Sequence, residues 1–439
     1  MGAKHLDLID AGEPEKRLTR RGFMAGAALL TASGALLAGS RPASAAPTVV
    51  RFQTPAGVRF GNPNAVLIAD FARENPDIKI EMETVPVQNL FPKLATEVAS
   101  KSDSIDLFQC ISNLMYGFAQ SGKIVAFEDL LPADYLADIV KDIPAHYLDT
   151  WRFKGKLYAL PNDSNAQWCF YRKDLFDEAG IKLPATWADA PKTAKALTKG
   201  NVKGYTASLR RGEYAGAHFS SVLFSFGGDY WDKDFHPTID SEAGRNAIEV
   251  MLEMMDYADP GSINAGEDDT AQTIASGVAA WAPLEWGRSD LTNPKKTPIA
   301  DKIETALPPD GGNHPAAPAL GGVSYMIPSW TDKKAAAAKY VAYACSKKVM
   351  HTFVQNEGQP ARTSALTDPE NVKIGRYFPT LQKALAQGKA FPAIPESYQF
   401  LVQLGNHVAE ILTKSVTPKQ GLQAVNESFA KSLKDNGYL

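Results

Sequence analysis

The stretch 157–187, LYALPNDSNAQWCFYRKDLFDEAGIKLPATW, constrains this chain more than any other segment. A short strand over 157–160 ends at Pro161, the polar residues Asn162, Asp163, Ser164 and Asn165 follow, and an apolar strand over 168–171 runs into a helix. An extended polar joint held between strands is the pattern of a chain that passes from one lobe to another and bends where it passes. Two bodies joined by a hinge are therefore expected.

The N-terminus adds an address. Lys16, Arg17, Arg20 and Arg21 precede an apolar run over 23–39 that Gly26, Thr31, Ser33 and Gly34 dilute. The run is too short and too weakly apolar to persist as a membrane helix. Ala43-Ser44-Ala45 fits a small-residue cleavage site, and Thr19-Arg20-Arg21-Gly22-Phe23-Met24 resembles a twin-arginine signal, a receptor-read address of bacteria. Residues 1–45 are read as this signal peptide, with the mature chain starting near Ala46. No Cys follows the apolar run, so the expected product is a periplasmic protein without a lipid anchor.

About 390 residues remain, more than one ordinary core holds and enough for two lobes. Of 46 Lys and Arg and 49 Asp and Glu, the leader carries six and four; 40 basic against 45 acidic residues give the mature chain a net charge of −5. That balance argues against a nucleic-acid partner and suits a freely diffusing monomer. Cys110, Cys169 and Cys345 are odd in number and lack metal spacing. Cys169 and Cys345 are expected as buried thiols, and whether any pair bridges stays open.

Across the joint the chain sets out Tyr158, Leu160, Pro161, Asp163 and Asn165, then Tyr171, Lys173, Asp174, Leu175, Phe176, Ala179, Gly180, Ile181, Pro184, Thr186 and Trp187. In this spacing it resembles the hinge-and-strand phrase of bacterial extracellular solute-binding proteins of the carbohydrate type, the maltose-binding-protein-like group. The resemblance implies an α/β, two-lobed periplasmic-binding-protein fold, type II-like, each lobe a mainly parallel sheet flanked by helices and joined by a multi-segment hinge. It also implies capture of a sugar or polyol between the lobes and delivery to the membrane permease of an ABC importer, with no catalysis and no cofactor.

Patterning places the pieces. A strand over 49–53, a helix over 64–75 with Leu67, Ile68 and Phe71 on one face, a strand over 78–82, a helix over 90–102 and an apolar run over 105–110 read as β-α-β-α-β. Such an order gives a parallel sheet with ligands beyond the carboxyl ends of its strands, here the loops 54–62 and 110–113. After crossing near 162–167 the chain builds a second lobe through Ser208, the Gly227-Gly228 turn and a helix over 243–257. Pro308-Pro309-Asp310-Gly311-Gly312 breaks every nearby pattern and is expected to be the second crossing. A third follows a helix over 335–353, near 356–361, and helices over 398–412 and 419–436 end the chain. The lobes are assigned as 46–162 with 309–356, and 163–308 with 357–439.

Sugar hydroxyls need paired donors and acceptors, and a sugar's C–H face packs on aromatic rings, so a site combines Asp, Asn, Glu and Arg with Trp or Tyr. Asp163 and Asn165 sit in the crossing, where a carboxylate can accept two hydroxyls of a ligand that touches both lobes; a turn cap is the alternative for Asp163, and ligand contact is favoured. Substituting Asp163→Ala is expected to abolish binding and spare the fold. Trp231 follows the Gly-Gly turn and is open between ligand platform and core. By the resemblance, Trp286, flanked by Glu285 and Arg288, stands where the family has a Trp after a strand. Gly321-Gly322 likewise matches a glycine pair that lets backbone approach the ligand. Arg362 corresponds to a Pro-x-Arg at the third crossing, as a ligand contact or as a bridge between lobes. Arg59 and Asn113 are added on loop position alone.

Other chemistries lack their motifs. The run from Gly117 to Lys123 matches most of a phosphate loop, but Ile124 stands where a Ser or Thr must reach magnesium. The seven histidines are scattered, without H-E-x-x-H, and no G-x-S-x-G appears. Two alternatives remain: an anionic ligand of glycerol-phosphate type, which needs convergent Arg or Lys, and a secreted carbohydrate-active enzyme, which needs two carboxylates facing one bond.

Overall fold

The computed structural model describes residues 46–439, so the signal-peptide reading of 1–45 lies outside the described residues. Its strands run as β1 (Thr48–Pro55), β2 (Ile78–Val85), β3 (Leu107–Cys110), β4 (Arg152–Phe153), β5 (Lys156–Leu157), β6 (Asn165–Arg172), β7 (Trp281–Trp286), β8 (Ile303–Ala306), β9 (Leu320–Gly321) and β10 (Ser324–Met326). In β2, buried Ile78 and Ile80 alternate with exposed Lys79 and Glu81, as an edge strand with one wet face requires. The helix Val58–Glu74 lays Leu67 and Phe71, one turn apart, into the core. Each such fully buried side chain stabilises by about 1.5–3 kcal/mol. The first sheet has the order β10-β3-β1-β2; β1 pairs in parallel with β2 and β3, and β10 returns antiparallel.

The second lobe departs from the mainly parallel sheet that was expected. There β6 pairs with β7, β8 and β9, each time antiparallel, and parallel pairing among the described residues of this lobe is confined to single bridges, such as Thr186 with Asp310, Lys203 with Ala279 and Tyr205 with Ala258. The apolar run of β6 is buried along nearly its whole length. A strand covered on both faces reads the same whichever way its neighbours run.

Three segments lie side by side where the lobes meet. Ser164 N–H donates to Gln359 O and Ala361 N–H to Asn162 O, each at 3.0 Å, while Asn165 and Ala166 pair with Gly321 and Leu320. The second crossing is therefore the passage from β9 to β10 and not 308–312. That proline-glycine turn stays in the second lobe, with Asp310 N–H on Ala185 O at 2.9 Å and Trp187 N–H on Asp310 O at 2.8 Å. A Pro- and Gly-rich run marks a turn without saying whether that turn joins two lobes or stays within one. A buried polar ring anchors the joint to the first sheet. Gln109 Nε2 donates to Asn162 Oδ1 at 3.0 Å, Asn162 Nδ2 to Tyr325 Oη at 3.1 Å, and the Tyr325 hydroxyl to Asn64 Oδ1 at 2.5 Å.

The buried apolar side chains form two clusters. Val50, Phe108, Tyr325 and Tyr340 belong to one, and Trp187, Phe219, Trp281 and Phe429 to the other. The segment after the third crossing, expected whole in the second lobe, divides between them. Ala361, Leu366, Tyr377 and Leu381 pack with the first cluster, and residues from Phe391 onward with the second. Tyr377 stacks on Trp168 of β6, ring centroids 5.7 Å apart, so an aromatic contact and not a sequence break decides where that segment lies. The helix expected over 335–353 is two, Lys334–Ala344 and Met350–Gln355. The last helix, Pro418–Asp435, begins at Thr417 with a capping box to Gln420 and Pro at its first turn. All three cysteines are buried free thiols.

Candidate functional site

Strand ends from both lobes and two crossings converge on a cavity of about 100 Å³ that adjoins a more polar vestibule of about 410 Å³. From the first lobe come Arg59 and Phe60, just past β1, and Asn113, just past β3, both at carboxyl ends of parallel strands. The second lobe supplies Trp286 at the end of β7, Glu213 and Tyr214 opening the helix Glu213–Ser225, and Glu267 opening the helix Glu267–Ala275. Asn165, Gly321 and Gly322 enter from the crossings.

Two close approaches shape the walls. A Cβ on Gly321 would lie 2.4 Å from Trp286 Cζ3, so the missing side chain lets the indole lie against the crossing backbone. The helices Glu213–Ser225 and Ser397–Leu412 touch through glycines: a Cβ on Gly405 would meet Gly212 O at 1.7 Å, and one on Gly216 would meet Leu401 O at 2.3 Å. That contact carries Glu213 to Tyr398, whose hydroxyl donates to Glu213 Oε2 at 3.0 Å. Asn113 Nδ2 reaches across from the first lobe to Ser397 Oγ at 3.0 Å.

Asp163 is fully buried, and both its oxygens are taken by one guanidinium. Arg59 Nη2 and Nε donate to them at 2.8 and 3.0 Å, and Arg59 Nη1 donates to Gly287 O at 3.0 Å. Burial pushes the carboxyl up and the guanidinium pulls it back. Asn165 is a joint of another kind: its Oδ1 accepts from Gly287 N–H at 2.8 Å and from Ala166 N–H at 3.0 Å. Glu285 points away from the cavity, with Oε2 at 2.6 Å from Ser208 Oγ and Oε1 accepting from Trp286 N–H at 2.9 Å. Burial pushes this carboxyl up to about 8, so it carries a proton at neutral pH. Glu213 and Glu267 are also held above the usual carboxylate range, first by burial.

The site residues expected from sequence thus divide. Arg59, Asn113, Asn165, Trp286, Gly321 and Gly322 line one cavity; Asp163 is tied to it through Arg59. Arg288 lines the vestibule, its guanidinium engaged by Asp290 at 3.0 and 3.1 Å and by Asp268 at 2.6 Å. Three residues lie elsewhere, the first of them Glu285, whose carboxyl is turned to Ser208. Trp231 packs in an aromatic cluster, 5.0 Å from the Phe400 ring and 6.1 Å from that of Phe429, because a tight turn can aim a Trp inward as readily as outward. Arg362 is 1 % exposed and bonds Asp142 Oδ2 at 3.0 Å, Asp138 Oδ2 at 3.2 Å and Cys345 O at 2.7 Å. It pins the third crossing to the first lobe.

Sequence reasoning missed Glu213, Tyr214 and Glu267. Each acidic residue follows a glycine and opens a helix, a readable signal for a helix start but not for the direction in which that start faces. Outside the cleft, exposed Asp232, Asp234 and His236 gather closely enough to hold a cation. Asp232 Oδ1 there already accepts the N–H groups of Asp234 and His236 at 2.9 Å each.

Residues 62–351 match the model of the family described as bacterial extracellular solute-binding protein. Over 448 aligned residues the chain is 26 % identical to a "Probable amino-acid ABC transporter periplasmic-binding protein" of Sinorhizobium fredii, covering 96 % of this chain and all of that one. It is 26 % identical to a mannitol-binding protein of Pseudomonas aeruginosa, over 84 % of this chain and 89 % of that one. Among solved structures, an ABC transporter solute-binding protein of Agrobacterium radiobacter in complex with ribitol superposes with a TM-score of 0.79 at 23 % identity, covering 88 % of this chain and 99 % of that one. One from Agrobacterium vitis with bound D-mannitol gives 0.79 at 23 % identity, over 89 % and 99 %. With a two-lobed α/β fold, a cavity where the lobes meet and a family model that spans most of its length, the chain belongs to the bacterial extracellular solute-binding proteins.

Proposed function

We propose that this protein is the periplasmic substrate-binding subunit of an ABC importer, exported by the twin-arginine pathway, that captures a sugar or polyol between its lobes. The carrying observation is the cavity itself. Indole, phenol and phenyl faces of Trp286, Tyr214 and Phe60 stand beside the carboxyls of Glu213 and Glu267 and the amides of Asn113 and Asn165. That mixture suits a ligand with C–H faces and hydroxyl edges. The mannitol-binding relative and the ribitol- and mannitol-bound structures fit the same ligand class.

An anionic ligand fits this cavity poorly. Arg59, the guanidinium in its lining, is neutralised by Asp163, while Glu213 and Glu267 face inward. Closure around the ligand is the event that the membrane permease reads, and the ligand's work is to shift the population toward the closed form. In this reading the protein acts as a monomer, free of a lipid anchor.

One observation favours a second reading: two carboxyls line one cavity, as in a glycoside hydrolase. Cleavage of an oligosaccharide by the pure protein would support it. The binding proposal is tested on the mature chain, refolded free of carried-over ligand, by tryptophan fluorescence and melting temperature against monosaccharides, disaccharides, polyols and glycerol phosphates. A saturable rise with a neutral compound is expected, since selective binding to the folded state raises stability. A response to glycerol phosphates alone would overturn the ligand class.

A further inference from the structure

We propose that the cleft selects a sugar or polyol bearing a protonated amino group, which Glu213 and Glu267 receive together; the inference rests on the sugar-or-polyol reading above. The two carboxyls line the same cavity from the first turns of two different helices. Among the described residues Glu267 has no hydrogen-bond or ion-pair partner, and Glu213 has one, the Tyr398 hydroxyl on Oε2.

Of the nearby cations, two are paired with other carboxylates, and the third, Arg210, acts on Glu213 from outside the cavity lining. Arg59 is bound bidentate to Asp163, and Arg288 to Asp290 and Asp268. Arg210 lies on the vestibule side, its guanidinium 4.6 Å from the centre of the Tyr214 ring. The lining therefore carries two acidic groups in excess. A neutral polyol leaves both to keep their protons or to stay ionised without compensation, which is costly in an apolar setting. An ammonium group offsets them, donates hydrogen bonds to both and meets the faces of Phe60, Tyr214 and Trp286, which attract cations. Burial raises both carboxyls; Glu267 adds to the shift of Glu213, while Arg288 and Arg59 partly offset that of Glu267, so a bound ammonium drives protons off them.

The test is calorimetry of the mature protein with a hexitol and its 1-amino-1-deoxy counterpart, in buffers of different ionisation enthalpy. The amino compound is expected to bind on the order of tenfold more tightly and to release protons, with its advantage growing as the pH rises and the carboxyls ionise. Glu267→Gln should bring the two affinities together and reduce the proton release, whichever way it moves hexitol binding itself. Equal or tighter binding of the plain hexitol, without proton release, overturns the amine preference and leaves the polyol reading standing. Binding of neither compound, nor of the sugars and amino sugars in a wider panel, overturns both.

Discussion

Arg59 meets Asp163 fork to fork: Nη2 and Nε lie 2.8 and 3.0 Å from the two carboxylate oxygens, and the remaining nitrogen, Nη1, lies 3.0 Å from Gly287 O in the second lobe. One side chain of the first lobe thus holds both the crossing and the loop after β7. The carboxylate expected to receive ligand hydroxyls is committed to the protein.

That pairing changes what a substitution does. Removing one partner of a buried pair strands the other, at a cost of about 3–5 kcal/mol, so Asp163→Ala should lower the melting temperature as well as the affinity. Arg59→Met together with Asp163→Leu should recover much of the stability without restoring affinity. Denaturant titration and ligand binding on the three proteins check this. An Asp163→Ala protein as stable as wild type would show that the pair carries no structural load.

Gly321 makes a sharper test of the cavity wall. Its Cβ would stand 2.4 Å from Trp286 Cζ3, so Gly321→Ala must displace the indole. Overpacking of this kind costs about 1–3 kcal/mol, and affinity should fall on the order of tenfold because the stacking face moves. Trp286→Ala should lose affinity similarly but with a smaller drop in melting temperature, since that side chain is only half-buried. Unchanged affinity in both variants would remove Trp286 from the site.

How much of this was legible follows from what each residue's neighbours are. The first sheet reads directly from sequence because β2 alternates wet and dry and the helix Val58–Glu74 repeats every turn. Strand direction around β6 does not, since buried runs carry no directional signal. The crossing residues 161–165 stand out as a polar break between strands, while the β9–β10 crossing hides inside strand pairing. Trp286 and Gly321 come from a family phrase tied to strand ends. Glu213 and Glu267 are set by the angle at which two helices start, which rests on glycine contacts such as Gly405 against Gly212, far apart in sequence.

Arg362 and Trp231 supply the contrast. Arg362→Ala leaves Asp138, Asp142 and the Cys345 carbonyl without their buried partner, so about 3–5 kcal/mol of stability should vanish. Trp231→Phe trims one ring from an aromatic cluster and should cost about 1–2 kcal/mol. Affinity of the folded fraction should stay within about twofold of wild type in both. A tenfold loss of affinity in folded Trp231→Phe would return that residue to the ligand.

Glu285 sets the pH dependence of the fold. Its carboxyl sits in the folded protein at about 8, raised by burial against the pull of Ser208, while in the unfolded chain it titrates in the ordinary range near 4.3. Between those values the folded state holds a proton that the unfolded state has lost, so stability falls as pH rises. His218 acts the other way: burial pushes its imidazole down to about 3, so its contribution grows with pH until the unfolded His has titrated, near 6.5. The two effects oppose below about pH 6.5, and the Glu285 loss continues from there to about pH 8, in the same direction as any loss from Glu213, Glu267 and Asp163, which burial also raises. Over that window each unit is worth about 1.4 kcal/mol at most for a single group, so wild-type stability should drop by on the order of 1–2 kcal/mol. Glu285→Gln keeps the Ser208 and Trp286 partners and cannot ionise, so its stability should stay flatter across the same window and exceed wild type at pH 8. Denaturant unfolding of both proteins at pH 6.5 and pH 8 measures the difference; parallel pH profiles would show that Glu285 is ionised in the folded protein after all.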